Sequence, residues 1–294
     1  MQTWHITTIT ISTINLLLAL FIFFRSFKWK AEEPHNAGYF LLLRSMGLIF
    51  VSVALYRSVF VSSYPDRLVW FDTLFNSPFL IRCLAVFAEI STIGMIAVIL
   101  LKMNRDMPFF EAENTGDVKK ERPLHTIIRK LPFAAVGCIF LAQFFAFAGL
   151  ITQYFWPFAI EETLWALAFI SVTPVVVAGL MRLKKENQKE KSLKFFLVIL
   201  AVWCIGYLMF QCFYALPFLY YSELALDAGK SIPVNALQQA IFNYRVTRDF
   251  NIWGGIGFFI WHSGYFSICS WLALIYMTAP RKHFPARATD AESV

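Results

Sequence analysis

The sequence predicts an all-α, polytopic membrane protein: a bundle of seven transmembrane helices with its N-terminus outside and its C-terminus in the cytoplasm. Three observations predict this fold, namely the composition, the apolar runs and the placement of the basic residues. Of the 294 residues, 58% are hydrophobic and 15% are charged, whereas a soluble domain is roughly half apolar and about a quarter charged. The composition therefore excludes an ordinary soluble enzyme, a disordered protein and a disulfide scaffold.

The apolar runs give the number of helices. A helical span needs about 20 mostly apolar residues, and a transmembrane barrel would show short alternating segments instead. Seven continuous runs meet the helical criterion: 6–24, 39–62, 79–101, 131–152, 160–183, 195–221 and 252–277. We expect one seven-helix domain over residues 1–280, followed by a cytoplasmic tail over 281–294.

The basic residues give the orientation. Of the 26 Lys and Arg residues, 19 lie in the tail and in the loops after the first, third and fifth runs, with Arg182 counted in the last of these loops. Four lie in the other loops, and Arg44, Arg57 and Arg82 lie within runs. Basic loops stay cytoplasmic, so the sequence predicts a multi-pass protein of a plasma or bacterial inner membrane.

This placement also explains the net charge of +7. Because the basic excess is mainly a topology signal, we expect no nucleic-acid partner. We expect the basic cytoplasmic loops to lie against anionic lipid headgroups instead.

Polar groups inside the runs define the candidate site, since ionisable residues in a membrane span are costly and usually functional. At a rise of about 1.5 Å per residue, Glu89 and His262 both come to mid-depth. Arg82 lies on the same helix face as Glu89. The predicted ligand or proton site comprises Glu89, His262, Arg82, Arg57, Gln143 and Gln211. We expect these residues to line an outward-facing polar pocket, and internal pairing of each charge is the equal alternative.

A second group of acids is predicted at the outer side. Glu161 and Glu162 open the fifth run, where negative charge suits a helix N-terminus. Asp66 and Asp72 lie in the loop between the second and third runs. Together these four acids form a predicted outer acidic entrance.

The segment between the sixth and seventh runs predicts one further helix. Pro233 is followed by Val234, Leu237, Ile241 and Tyr244, and this three- and four-residue spacing is typical of a short amphipathic helix. We expect it to lie flat on the outer surface or to cap the mouth of the pocket.

The sequence carries no catalytic motif. All 13 lysines lie outside the runs, so none is placed for a Schiff base within the membrane. His262 is the one histidine deep in a run, which leaves a three-histidine zinc site incomplete. We therefore predict no metal and no cofactor, the catalytic residues stay unknown, and the question of whether the chain is an enzyme stays open.

Three functional hypotheses remain. The first is binding of a small or lipid-like ligand in the outward-facing pocket, for sensing or transport, with proton coupling as a further option. The second is a membrane-embedded enzyme that acts on a lipid or isoprenoid through the outer acids. The third is a structural subunit of a membrane complex in which every buried charge is internally paired.

Overall fold

The computed structural model describes residues 3–32, 36–64, 66–106, 113–115, 118–120, 123–185 and 191–278. The α-helices are α1 (Thr3–Glu32), α2 (Ala37–Val59), α3 (Pro78–Asp106), α4 (Pro123–Thr152), α5 (Phe155–Lys185), α6 (Lys191–Phe210), α7 (Ala236–Phe242) and α8 (Gly255–Met277). The chain continues from α6 into a π-helical segment, Gln211–Tyr220, and a 3₁₀ segment, Tyr221–Asp227. A short 3₁₀ turn, Leu74–Asn76, precedes α3.

Six of the described helices are long and apolar enough to cross a membrane: Thr3–Phe27, Ala37–Val59, Pro78–Arg105, Leu124–Thr152, Phe155–Lys184 and Leu193–Asp227. The first six predicted runs fall on these helices, which supports a multi-pass integral membrane protein. The described residues of α8 include the apolar stretch Phe266–Met277, and the seventh span stays a prediction. The predicted tail, 281–294, lies outside the described residues.

The helices pack mainly against their neighbours in the chain, and α8 returns to pack against α1 and α2. The interior is apolar: Phe50 of α2, Ile96 of α3, Phe169 of α5, Leu197 of α6 and Tyr276 of α8 belong to one buried cluster. Lipid tails are as apolar as these side chains, so the hydrophobic effect does not drive the helices together within a membrane. Close packing and polar contacts must stabilise the bundle instead.

A seam of small and polar residues on α1 shows how this packing is achieved. From His5 to Ala19 the buried positions recur every three or four residues, and Ser26 follows seven residues later, so all of them lie on one helix face. They are His5, Thr8, Ser12, Asn15, Ala19 and Ser26. The hydroxyl oxygens of Ser12 and Ser58 lie 2.7 Å apart across the contact with α2. Small residues let helix backbones approach closely in a membrane.

One end of the bundle, which we call the capped end, holds the start of α1, the end of α2, the start of α3, the end of α4 and the start of α5. The strands β1 (Ser62–Ser63), β2 (Leu68–Val69) and β5 (Arg245–Val246) form a small sheet there. β1 pairs antiparallel with β2, and β2 pairs parallel with β5. The strands β3 (Glu113–Thr115) and β4 (Val118–Lys120) form an antiparallel pair in the loop between α3 and α4.

Two histidines cap the last turn of α2. A helix leaves its last four carbonyls without partners inside the helix. The Nε2 atom of His5 donates to the carbonyls of Ser58 and Val59, at 3.0 and 3.2 Å. His262, from α8, hydrogen-bonds to the backbone of Arg57. Side chains of α1 and α8 therefore hold the end of α2 in place.

Arg67 caps α4 in the same way. Its Nη2 atom donates to the carbonyls of Leu150 and Ile151, at 3.0 and 3.2 Å. The residue adopts a left-handed backbone conformation, φ 47°, at the turn before β2. Positive charge is favourable at a helix C-terminus, so the contact anchors the α2–α3 loop over α4.

An acid caps the start of α5. The carboxylate of Asp227 accepts hydrogen bonds from the backbone N–H groups of Phe155, at 2.8 Å, and Trp156, at 3.0 Å. Lys230 bonds to Asp227 at 3.2 Å and to the carbonyl of Gln153 at 2.9 Å. Negative charge is favourable at a helix N-terminus, so this contact fixes the end of the 3₁₀ segment against α5.

The predicted amphipathic helix forms as α7, but its buried face differs from the expected one. Ala236 and Ala240 are buried, whereas Val234 and Leu237 are exposed. The helix packs against α3 and α4, and Ser77 donates a 2.8 Å hydrogen bond to its backbone. The small residues face the bundle because they allow α7 to approach the helix ends closely.

We expect Asp227→Ala to destabilise the fold by about 0.5–2 kcal/mol, the usual loss when an N-cap side chain is removed. Asp227→Asn should lose less, because the amide oxygen still accepts one of the backbone hydrogen bonds. Thermal unfolding of the protein in detergent micelles measures both changes. Asp66→Ala, at an exposed position, is the matched control. An equal loss in the control would contradict the cap.

Candidate functional site

The centre of the site is an ion pair within α3. The Nη1 and Nη2 atoms of Arg82 donate to the two carboxylate oxygens of Glu89, each at 3.0 Å. The residues are seven positions apart, or about two turns, so both side chains lie on one helix face. Arg82 is 2% exposed and Glu89 is 5% exposed. This two-point geometry is the strongest form of a carboxylate–guanidinium contact.

Gln143 of α4 completes this ion pair. Its Oε1 atom accepts a 2.7 Å hydrogen bond from Nη2 of Arg82, and its Nε2 atom donates to Oε2 of Glu89 at 3.0 Å. The amide thus presents its acceptor to the guanidinium and its donors to the carboxylate. Nε2 also donates to the carbonyl of Ile139 at 2.9 Å, which fixes the orientation of the side chain.

Arg82 also binds a second carboxylate. Nη1 lies 3.2 Å from Oε1 of Glu161, which is buried near the start of α5. One guanidinium therefore joins acids of α3 and α5 and the amide of α4. We call Arg82, Glu89, Gln143 and Glu161 the Arg82 cluster.

Glu162 turns away from Arg82 toward the π-helical segment. Its carboxylate accepts hydrogen bonds from Nε2 of Gln211 and from the hydroxyl of Tyr220, the latter at 3.2 Å. Nε2 of Gln211 also donates to the hydroxyl of Tyr207 at 2.6 Å. Glu162 is thus held by neutral groups, whereas Glu161 is held by a cation.

The π-helical winding brings these groups together. Gln211 and Tyr220 are nine residues apart, and at 3.6 residues per turn they would lie on opposite faces of an α-helix. The wider turn of a π-helix, with hydrogen bonds from i to i+5, moves them to the same side. Pro217 lies inside the segment and has no N–H for an α-helical hydrogen bond. The unusual winding therefore places two polar groups on one acid.

Arg57, in the last turn of α2, has a different environment. Its guanidinium carbon lies 5.5 Å from the ring centre of Tyr64 and 4.9 Å from that of Phe266. Among the residues that the structure describes, no hydrogen bond or ion pair reaches this guanidinium, and Arg57 is 8% exposed. The contacts of this buried cation within the described residues are therefore with aromatic rings.

Tyr64 lies between the two arginines. Its ring centre is also 5.8 Å from the guanidinium carbon of Arg82. Its hydroxyl is buried and has no hydrogen-bond partner within the described part of the chain. Burial raises the pKa of Tyr64, against the opposing effect of Arg57 and Arg82. The hydroxyl thus keeps its proton at neutral pH and can donate a hydrogen bond.

The structure does not bring His262 and Glu89 together. The contacts of Glu89 are with Arg82 and Gln143. The ring of His262 packs near Trp4, at 6.0 Å between ring centres, and near Phe266, at 4.7 Å. Because α8 begins at Gly255, His262 lies only about two turns inside the helix, level with the end of α2. In the described contacts Glu89 and His262 therefore have separate partners.

The four acids of the predicted entrance lie in two places. Glu161 is in the Arg82 cluster, and Glu162 is bonded to the π-helical segment. Asp66 and Asp72 lie on the α2–α3 loop, exposed. The loop turns these two side chains outward because Arg67 anchors it over the end of α4.

Sequence reasoning missed Tyr64, Tyr220 and His5. Tyr64 is one of many aromatic residues near a helix end, where tyrosine is common in any membrane protein. Tyr220 reaches Glu162 only through the π-helical winding. His5 lies just before the first run, so the predicted span did not include it. A heptad count along α1 could have found it.

The chain matches no protein-family model, no curated protein and no solved structure. Within the described residues, no group of three or more His, Cys, Asp or Glu side chains is arranged to hold a metal ion. The fold and the site define a multi-pass integral membrane protein with a buried polar network near the capped end.

We expect Arg82→Gln to destabilise the protein more than Glu89→Gln. Removing the arginine leaves two buried carboxylates without their cation, whereas removing Glu89 leaves Arg82 with Glu161. Breaking a buried pair costs about 3–5 kcal/mol, and Arg82→Gln should reach this range. Thermal unfolding in micelles ranks the variants. If Glu89→Gln were the more damaging change, Arg82 would not be the shared centre.

Proposed function

We propose that this protein is a seven-helix membrane protein that binds the anionic group of a small or lipid-like ligand at Arg57, for sensing or transport. One observation carries the proposal: the buried Arg57 guanidinium lies over two aromatic rings and, among the described residues, has no hydrogen-bonded or ionic partner. A buried guanidinium without direct hydrogen bonds or ion pairs is costly, so a ligand anion that binds it directly is the natural partner.

The proposed orientation places the capped end outside. The split of the basic residues, 19 against four, favours this direction under the positive-inside rule. This orientation requires α8 to cross the membrane as the seventh span. The basic loops would then face the cytoplasm, against anionic headgroups. Arg57 and Tyr64, at the capped end, would be reached from the outer side.

The chemistry of the site suits a carboxylate or a phosphate. A guanidinium presents donors in a planar fork that matches both groups, and the free Tyr64 hydroxyl adds one further donor. The ring of Phe266, which also lies against Arg57, would provide an apolar surface for the adjoining part of a ligand. Ligand sites in general combine a few such polar anchors with apolar walls.

The structural-subunit hypothesis accounts for only part of the network. Internal pairing explains Arg82, Glu89 and Glu161, which satisfy one another. It does not explain Arg57. The enzyme hypothesis required the outer acids to converge, and Asp66 and Asp72 lie apart on the surface. We therefore favour ligand binding and propose no catalytic residue.

A binding experiment with simple anions tests the proposal. The protein is reconstituted in nanodiscs of phosphatidylcholine, and its unfolding temperature is measured with hexanoate, hexyl phosphate or hexanol. We expect both anions to raise the unfolding temperature and hexanol to have no effect, because ligand binding stabilises the native state. Arg57→Gln should abolish the shift, and Arg57→Lys should retain part of it.

The matched control is Arg245→Gln, which removes an exposed arginine of the capped end and should leave the shift unchanged. A shift of the same size with hexanol would show that the alkyl chain, and not the anion, is bound. Anion-dependent stabilisation that persists in Arg57→Gln would place the site elsewhere and overturn the proposal.

A further inference from the structure

We propose that Glu161 takes up a proton when an anion binds at Arg57, so that the site couples anion binding to proton binding. This inference rests on the proposed function and names the residue that would provide its coupling. Arg57, Arg82 and Glu161 form a chain of charges, in which Glu161 lies 3.2 Å from Arg82 and interacts electrostatically with Arg57.

The charge balance of the network supplies the driving force. Two guanidiniums, of Arg57 and Arg82, face three carboxyl groups, of Glu89, Glu161 and Glu162. A net charge away from water is costly, so the empty network is balanced when one carboxyl group carries a proton. A bound anion adds one negative charge, and a second proton restores the balance.

Glu162 is the natural site of the first proton. Its carboxyl group is held by Gln211 and Tyr220, which are neutral, whereas both other acids contact Arg82. The second proton must then go to Glu89 or to Glu161.

The contacts favour Glu161 over Glu89. Both oxygens of Glu89 accept hydrogen bonds from Arg82, and one also accepts from Gln143. A proton on either oxygen would break one of these bonds. Glu161 touches Arg82 through Oε1, which leaves Oε2 available for an O–H bond. When a ligand anion neutralises Arg57, Glu161 also loses one of the two cations that stabilise its charge.

Apart from Glu89 and Glu162, no group near Glu161 in the described part of the chain serves this purpose between about pH 5 and 8, because guanidiniums stay charged and phenols stay neutral in that range. The titratable and charged groups that face Glu161 from the elements packed around it are Arg57 of α2, Tyr64 of the α2–α3 loop, Arg82 and Glu89 of α3, Glu162 of α5 itself and Tyr220 of the π-helical segment. The step transfers one proton from a buffer acid to the Glu161 carboxylate and leaves the buffer's conjugate base. No electron is transferred.

The experiment counts protons during binding. Hexanoate binding to the full chain in phosphatidylcholine nanodiscs is measured by titration calorimetry in two buffers with different ionisation enthalpies. We expect about one proton taken up per anion, and a dissociation constant that rises about tenfold per pH unit while Glu161 is ionised, as linkage requires. Glu161→Gln should bind hexanoate with no proton uptake and little pH dependence.

The control Asp66→Asn removes an exposed carboxyl group of the same end and should keep the proton uptake of the unmodified protein. Absence of hexanoate binding to the unmodified protein would overturn the proposed function. Binding without proton uptake, or uptake that persists in Glu161→Gln, would overturn this inference and leave the proposed function intact. If Glu161→Gln does not fold, a dissociation constant of the unmodified protein that does not change with pH would still overturn the inference.

Discussion

The guanidinium of Arg82 is the interaction on which the polar interior depends. Lipid offers no hydrogen bonds, so each polar group within a bundle needs a partner from the protein. Arg82 binds Glu89 on its own helix, Gln143 on α4 and Glu161 on α5. A single charge thereby sets the relative positions of three helices. The same contacts make the network costly to break, since each partner would be left buried and unpaired.

The need of each buried polar group for a partner also determines the structure of the capped end. The last carbonyls of α2 and α4 and the first N–H groups of α5 are bound by side chains from elsewhere in the chain: His5, His262, Arg67 and Asp227. Each charged cap has the sign that the helix dipole favours. Because two histidines hold the end of α2, Arg57 is fixed between Tyr64 and Phe266. The caps thus position the cation for which the described residues supply aromatic contacts but no hydrogen bond or ion pair.

The sequence predicted the parts of this arrangement that follow from composition and from helical periodicity. The first six spans follow from apolar runs, and the closeness of Arg82 and Glu89 follows from a seven-residue spacing. The partners of His262 and Glu162 were not predictable, because contacts between helices depend on rotation and on where each helix begins. Tyr220 reaches its partner through a π-helical winding that no residue pattern specifies. Asp66 and Asp72 point outward because a distant contact, between Arg67 and α4, sets the course of the loop.

We propose above that the buried guanidinium of Arg57 binds an anion from outside the chain. An electron-microscopy map of the protein purified gently from its native membrane tests this most directly. We expect density for an anionic group about 2.7–3.2 Å from the Arg57 nitrogen atoms, the usual range for hydrogen bonds to oxygen. An Arg57 side chain ion-paired with a carboxylate of the protein itself would overturn the proposed anion site.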